Sequence, residues 1–116
     1  MISIPQRSLI YIDFDPSKGY EIKKRRPALV MSSESYNRAT NLIIVCPITS
    51  TDKKRPFLVS VHNKSLSDSS KVNTNQIFSL DYTPQANRNV EMLGQLDEET
   101  FYQVAQNVLF SFDFPF

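Results

Sequence analysis

Leu42-Ile43-Ile44-Val45-Cys46-Pro47-Ile48 is the most apolar run in the chain, and Thr49-Ser50 follows it directly. A continuous apolar run rich in β-branched side chains reads as a strand buried on both faces, with Thr49 at its end. Upstream, Arg25-Arg26-Pro27-Ala28-Leu29-Val30 marks a second strand over residues 27–31. Proline pushes its predecessor into an extended conformation, so Arg26 is held at the strand entrance. A cation at the mouth of one strand and a hydroxyl at the end of its neighbour can converge on one phosphate. Arginine stays charged at any working pH and presents a planar fork of donors, while threonine adds a short hydroxyl on a stiff stem.

Further strands follow on either side of this pair. Residues 8–14 carry β-branched and aromatic side chains in alternation, residues 57–62 and 76–81 do the same, and residues 72–74 and 90–93 give weaker signals. Asp15-Pro16-Ser17-Lys18-Gly19 turns the chain into a long loop that ends at Arg26, and Ser33-Glu34-Ser35-Tyr36-Asn37 resembles a single capped helical turn. Near the C-terminus the period changes. Asp97 is placed to cap a helix, Glu98 and Glu99 complement its dipole, and Phe101, Val104, Ala105, Val108, Leu109 and Phe112 share one face. Short strands with one late helix predict a mainly β protein, a small and strongly bent antiparallel sheet or barrel capped by three to four turns of helix.

With 116 residues, 41% of them apolar, the chain is sized for a single domain spanning residues 1–116. No run is long enough to span a membrane, and Met1-Ile2-Ser3-Ile4-Pro5 lacks a basic region followed by an apolar run. A cytoplasmic protein without membrane partners is the expectation. One cysteine and one histidine exclude an internal disulfide and a closed zinc site. Cys46 reads as a buried small hydrophobe, and His62, away from either motif, as an exposed or edge residue.

The net charge of +1 hides a strong asymmetry. Residues 18–55 hold nine basic against three acidic side chains, a net of +6, and the remainder carries −5. Such a split suggests a cationic face aimed at an anionic partner such as a nucleic acid.

The motifs have a family counterpart. Tyr11-Ile12-Asp13-Phe14-Asp15-Pro16, Lys18-Gly19, Glu21, Arg26-Pro27-Ala28-Leu29-Val30, Cys46-Pro47-Ile48-Thr49-Ser50, Pro56-Phe57, Gln76 with Ser79-Leu80, and Leu96-Asp97-Glu98-Glu99 occur in the order and spacing of one family. In these marks the chain resembles the MazF/PemK toxins of bacterial toxin-antitoxin modules, which cleave messenger RNA and share a fold with the CcdB gyrase poisons. The resemblance implies an SH3-like barrel of short antiparallel strands with a C-terminal α-helix, acting as a homodimer. It implies metal-independent, cofactor-free cleavage of single-stranded RNA, and inhibition by a cognate antitoxin lying across the RNA groove, with operator DNA reached only through the antitoxin complex. The catalytic roles fall on Arg26 and Thr49, and Glu21 matches a loop acid that supports catalysis in parts of the family.

Cleavage without metal can use the substrate's own 2′-hydroxyl, giving a 2′,3′-cyclic phosphate and a 5′-hydroxyl, and sparing DNA. Glu21 either takes the proton or holds Arg26 by an ion pair. Lys53, Lys54 and Arg55 are expected to track the phosphate backbone together with Lys23, Lys24 and Arg25. Base selection falls to side chains near the groove, for which Phe14 and Gln76 are candidates. The chain departs from the family in Arg7-Ser8, where many members have Gly-Asp, and in Glu21-Ile22-Lys23-Lys24-Arg25, where many have glycine. Two other readings fit the same features: a barrel that binds RNA without cutting it, and a gyrase poison. The second lacks the Trp-Gly-Ile terminus such proteins use, since the chain ends Phe114-Pro115-Phe116. That aromatic tail is expected to bury against the barrel or across a dimer interface.

Overall fold

The computed structural model describes residues 3–14 and 25–115. Along these residues run β1 (Ser8–Asp13), β2 (Arg25–Val30), α1 (Glu34–Thr40), β3 (Leu42–Ser50), β4 (Leu58–Ser60), β5 (Ser70–Asn73), β6 (Phe78–Asp81), β7 (Glu91–Gln95) and α2 (Glu98–Phe110). The seven strands form one antiparallel sheet in the order β4-β5-β3-β2-β1-β7, with β6 also paired to β3. Among the described residues the sheet does not close, because β4 and β7 each pair with one neighbour. The bent-sheet expectation holds in this open form.

β3 organises the sheet. One edge pairs with β2 over Val45, Cys46 and Pro47. The other pairs first with β6, over residues 42–45, and then with β5, over residues 48–50. The two faces of the strands accordingly bury two clusters. Ile10, Ile12, Ala28, Val30, Ile43, Val45, Leu80 and Tyr82 pack on one side. Leu9, Leu29, Cys46, Ile48, Val61, Val72 and Leu96 pack on the other, closed by Phe101 and Val104 of α2. Period-two geometry on a sheet covered on both faces is what makes the β1 and β3 sequences apolar at successive positions.

Local signals set the ends of several elements. Asp97 accepts a hydrogen bond from the Thr100 N–H at 2.9 Å and caps α2. That bond holds its carboxyl below the usual range, so the cap is present at neutral pH and is lost as pH falls through the lowered value. Between Leu9 and Ile10 the β1–β7 register slips by one residue. Gly94, at φ 152°, lies at this bulge, and a Cβ there would stand 3.0 Å from the Asn63 side-chain nitrogen.

The single turn expected after β2 is instead the seven-residue α1. Ser33 caps it as anticipated, accepting from the Tyr36 N–H, but Asn37 does not end it. Asn37 is fully buried and acts as a polar hub. Its side chain accepts from the Ser32 hydroxyl at 2.5 Å and donates to the Ile4 carbonyl at 2.8 Å, while its own carbonyl accepts from the Tyr82 hydroxyl at 2.9 Å. The Ser32 hydroxyl accepts in turn from the Ile44 N–H. These bonds fasten α1 to β3 and to the N-terminal segment. Replacing Asn37 with Ala leaves the Ile4 carbonyl and Ser32 hydroxyl short of partners, and we predict a loss of about 3 kcal/mol in urea unfolding. An unchanged midpoint would show that the hub adds nothing.

Candidate active site

Register decides which side chains share a face. The β2–β3 ladder pairs Ala28 with Pro47, Leu29 with Cys46 and Val30 with Val45. Arg26 and Thr49 each lie two residues past the last pair of this ladder, Ala28–Pro47. Both residues have the parity of Ala28, Val30 and Val45 and so belong to the same face of the sheet. Arg26 is exposed and lies opposite Ile12 in the β1–β2 ladder. Among the described residues no carboxylate lies within ion-pair distance of it. Thr49 is half-buried, and β3 runs one residue beyond it to Ser50.

Lys71 pairs directly with Thr49 across the β3–β5 ladder. It is half-buried, and its ammonium donates to the Thr51 carbonyl at 2.5 Å. The strand around it was expected only from residue 72. Its one local signal was the spacing of Ser70 and Val72, both of which turn out to be buried.

An aromatic pair flanks the same face. Phe78 lies opposite Val45, with 37% of its surface exposed. Phe14 packs against the cluster beneath and meets Phe78 edge-on, with ring centroids 5.1 Å apart. From Phe78 to Lys71 the outer edge of β3 advances four residues, about 14 Å. Gln76 is exposed in the turn that joins β5 to β6 beside this strip. Lys53, Lys54 and Arg55 are exposed in the loop that leaves β3 just past Thr49. Glu21, Lys23 and Lys24 lie outside the described residues. His62 is exposed.

Arg25 departs from the role expected of it. It belongs to β2 rather than to the basic loop, and its guanidinium faces inward to a polar network. Nη1 donates to Asp13 Oδ1 at 3.3 Å and to the Asn89 carbonyl at 2.7 Å, Nη2 reaches Glu91 at 3.4 Å, and the group lies 4.5 Å from the Tyr11 ring centroid. The Asp13 side chain is only 2% exposed, and its second oxygen accepts from Asn89 Nδ2 at 2.8 Å. A buried carboxylate needs such partners, and Arg25 supplies the charged one. The pair fixes the end of β1 against the start of β2, and so fixes the backbone from which Arg26 projects.

On the opposite face, a cleft of about 480 Å³ is lined by Tyr11, Pro27, Ser50, Ser67 and Glu91 among others. The aromatic tail does not bury in the single chain: Phe110 is 82% exposed, and Phe112 and Phe114 stack on each other 5.2 Å apart.

Two predictions concern this scaffold. Arg25→Met leaves Asp13 charged and half-satisfied and is expected to cost about 3 kcal/mol in urea unfolding, with Asp13→Asn in the same chain recovering part of the loss. A neutral Arg25→Met would contradict the anchoring role. Cys46 is buried, and burial pushes its thiol up to about 11, leaving no thiolate to react near neutrality. Iodoacetamide at pH 8 should label it only after unfolding, and rapid labelling of the native protein would show that the thiol is accessible.

A model of the family described as PemK-like, MazF-like toxin of type II toxin-antitoxin system matches residues 6–112. The endoribonuclease toxin MazF of Escherichia coli strain K12 is 45% identical over 51 residues, covering 44% of this chain and 46% of that toxin. The Escherichia coli endoribonuclease PemK is 26% identical over 87 residues, covering 72% of this chain and 65% of PemK. The chain therefore spans about half to two-thirds of the length of these curated relatives. Among solved structures, a MazE–MazF complex from Deinococcus radiodurans contains a chain 30% identical, covering 97% of this one and 100% of its own length, with a TM-score of 0.79. MazF of the same organism, solved alone, gives 31% identity, 93% and 94% coverage, and a TM-score of 0.76. Matched over nearly all of its length by the family model, and folded like MazF, this chain belongs to the PemK-like, MazF-like toxins of type II toxin-antitoxin systems.

Proposed function

We propose that the chain, acting over residues 1–116 as one toxin domain, is a cytoplasmic endoribonuclease that cuts single-stranded RNA, messenger RNA included, without a metal ion. The observation that carries this reading is the placement of Arg26 and Thr49. A cation with no carboxylate partner among the described residues and a half-buried hydroxyl belong to one face by strand parity, each two residues beyond the last pair of the β2–β3 ladder. The family membership and the endoribonuclease names of its relatives supply the reaction class.

In the reaction we propose, the 2′-oxygen of the substrate attacks the adjacent phosphorus. The 2′-O–P bond forms as the P–O5′ bond breaks, leaving a 2′,3′-cyclic phosphate and a 5′-hydroxyl. Negative charge gathers on the non-bridging oxygens, where a fixed guanidinium and hydroxyl stabilise it most effectively. Arg26 and Thr49 serve there. Glu21 accepts the proton of the 2′-hydroxyl or holds Arg26 in place, and a pH–rate profile of Glu21→Gln separates the two, since only a base removes the acidic limb. If Glu21 only holds Arg26, the 2′-proton passes to water, and in either case the leaving 5′-oxygen takes a proton from water as its charge develops. Lys53, Lys54 and Arg55 lie along the exit of β3, where they can follow the phosphate backbone with Lys23 and Lys24. The exposed face of Phe78, braced by Phe14, offers a stacking surface for an unpaired base, and Gln76 offers donors and acceptors for a base edge.

Partners follow from the same reading. A MazE–MazF complex is among the structural neighbours, and we propose a cognate antitoxin that covers this cationic face, together with a homodimer as the working form. Among the described residues no helix is long and apolar enough to cross a membrane.

The test is incubation with a long single-stranded RNA and its all-deoxy copy in the presence of chelator. RNA should be cut to 2′,3′-cyclic phosphate and 5′-hydroxyl ends while the deoxy copy survives. Arg26→Ala and Thr49→Ala should each lower the rate by at least ~100-fold, on the scale of removing a preorganised donor to a developing oxyanion, with unchanged unfolding midpoints. Intact RNA, or full activity in both variants, would refute the proposal.

A further inference from the structure

We propose that Lys71 binds the RNA phosphate next to the scissile one, a role that rests on the cleavage reading above. Three observations converge on it. Lys71 is the ladder partner of Thr49, and directly opposed residues of an antiparallel pair share a face. Its neighbour Val72 is buried with Ile48 in the cluster on the other side, which turns Lys71 toward the face of Arg26 and Thr49. Its charge is uncompensated: the ammonium meets the Thr51 carbonyl, and no carboxylate among the described residues pairs with it.

The Thr51 contact sets the offset. Thr51 lies two residues beyond Thr49, about 7 Å along the strand direction, so the ammonium is displaced from the Thr49 hydroxyl toward Lys53, Lys54 and Arg55. This places it over the adjacent phosphate rather than the reacting one. The strand entrance gives Arg26, the strand end gives Thr49, and β5 gives a third group in the same row. Lysine suits the task as a compact point charge on a flexible stem, whereas Arg26 provides the planar fork. A half-buried position anchored to a backbone carbonyl keeps the cation in place before RNA arrives, which lowers the ordering cost of binding.

The experiment compares Lys71→Met, Lys71→Arg and a control, Lys64→Met, whose lysine is exposed in the loop between β4 and β5. Binding of a fluorescent, uncleavable 2′-O-methyl oligonucleotide is titrated against salt, and KM and kcat are measured on RNA. Lys71→Met should reduce the slope of log K against log salt by about 0.7, the value for one phosphate contact on a single strand. It should raise KM several-fold, with the smaller part of the loss in kcat. Lys71→Arg should restore the slope, and Lys64→Met should leave it as in the parent. An unchanged slope in Lys71→Met, an equal loss in Lys64→Met, or no rescue by Lys71→Arg at an unchanged unfolding midpoint would each overturn the assignment. Failure of the parent protein to cut RNA would defeat the cleavage reading alone, since the salt titration still reports on Lys71.

Discussion

A β-strand has two hydrogen-bonding edges, and β3 must serve three partners with them. β2 takes one edge, while β6 and β5 divide the other between residues 42–45 and 48–50. The exchange leaves Cys46 and Pro47 between two partners, and Pro47, lacking an N–H, has no donor to leave unpaired there. Past this point β3 continues with β5 to Ser50, and its ladder with β2 has ended at Ala28–Pro47. The open end that results is where Arg26 and Thr49 emerge.

Burial on both sides of the sheet holds this geometry in place. Each of β1, β2 and β3 contributes alternate residues to two separate clusters, so a slip of one residue in any of them would exchange the two sets. The Leu9/Ile10 bulge and the Asp13–Arg25 pair then fix where β1 and β2 end. Adjacent arginines thus have opposite tasks. Arg25 neutralises a buried carboxylate and stiffens the scaffold, and Arg26, one residue on and on the other face, is exposed with no carboxylate partner among the described residues.

Much of this was legible in local sequence. The apolar run at 42–48, the Arg26-Pro27 strand entrance, the Ser33 and Asp97 caps and the helical spacing after Asp97 all act within a few residues, and each appears close to where it was read. What was not legible depends on partners far away in the chain. Arg25 looked like one more cation of a basic loop because Asp13, Asn89 and Glu91 lie 12, 64 and 66 residues from it. The pairing of Lys71 with Thr49 was not legible because no local pattern encodes it. The stretch Ser33–Asn37 read as a single turn, and nothing local to it signals that Asn37 is buried and bonded to Ile4, Ser32 and Tyr82.

The central claim is that Arg26 and Thr49 act on one phosphate. A double-mutant cycle on kcat/KM for RNA cleavage tests it most directly, using Arg26→Ala, Thr49→Ala and the combined variant, each confirmed as folded by its urea midpoint. Groups that stabilise the same developing charge act as a unit, so the combined variant should be no slower than the worse single variant within a few-fold. Losses that multiply, with the combined variant slower by the product of the two, would show two independent contributions and contradict the convergence on which this account is built.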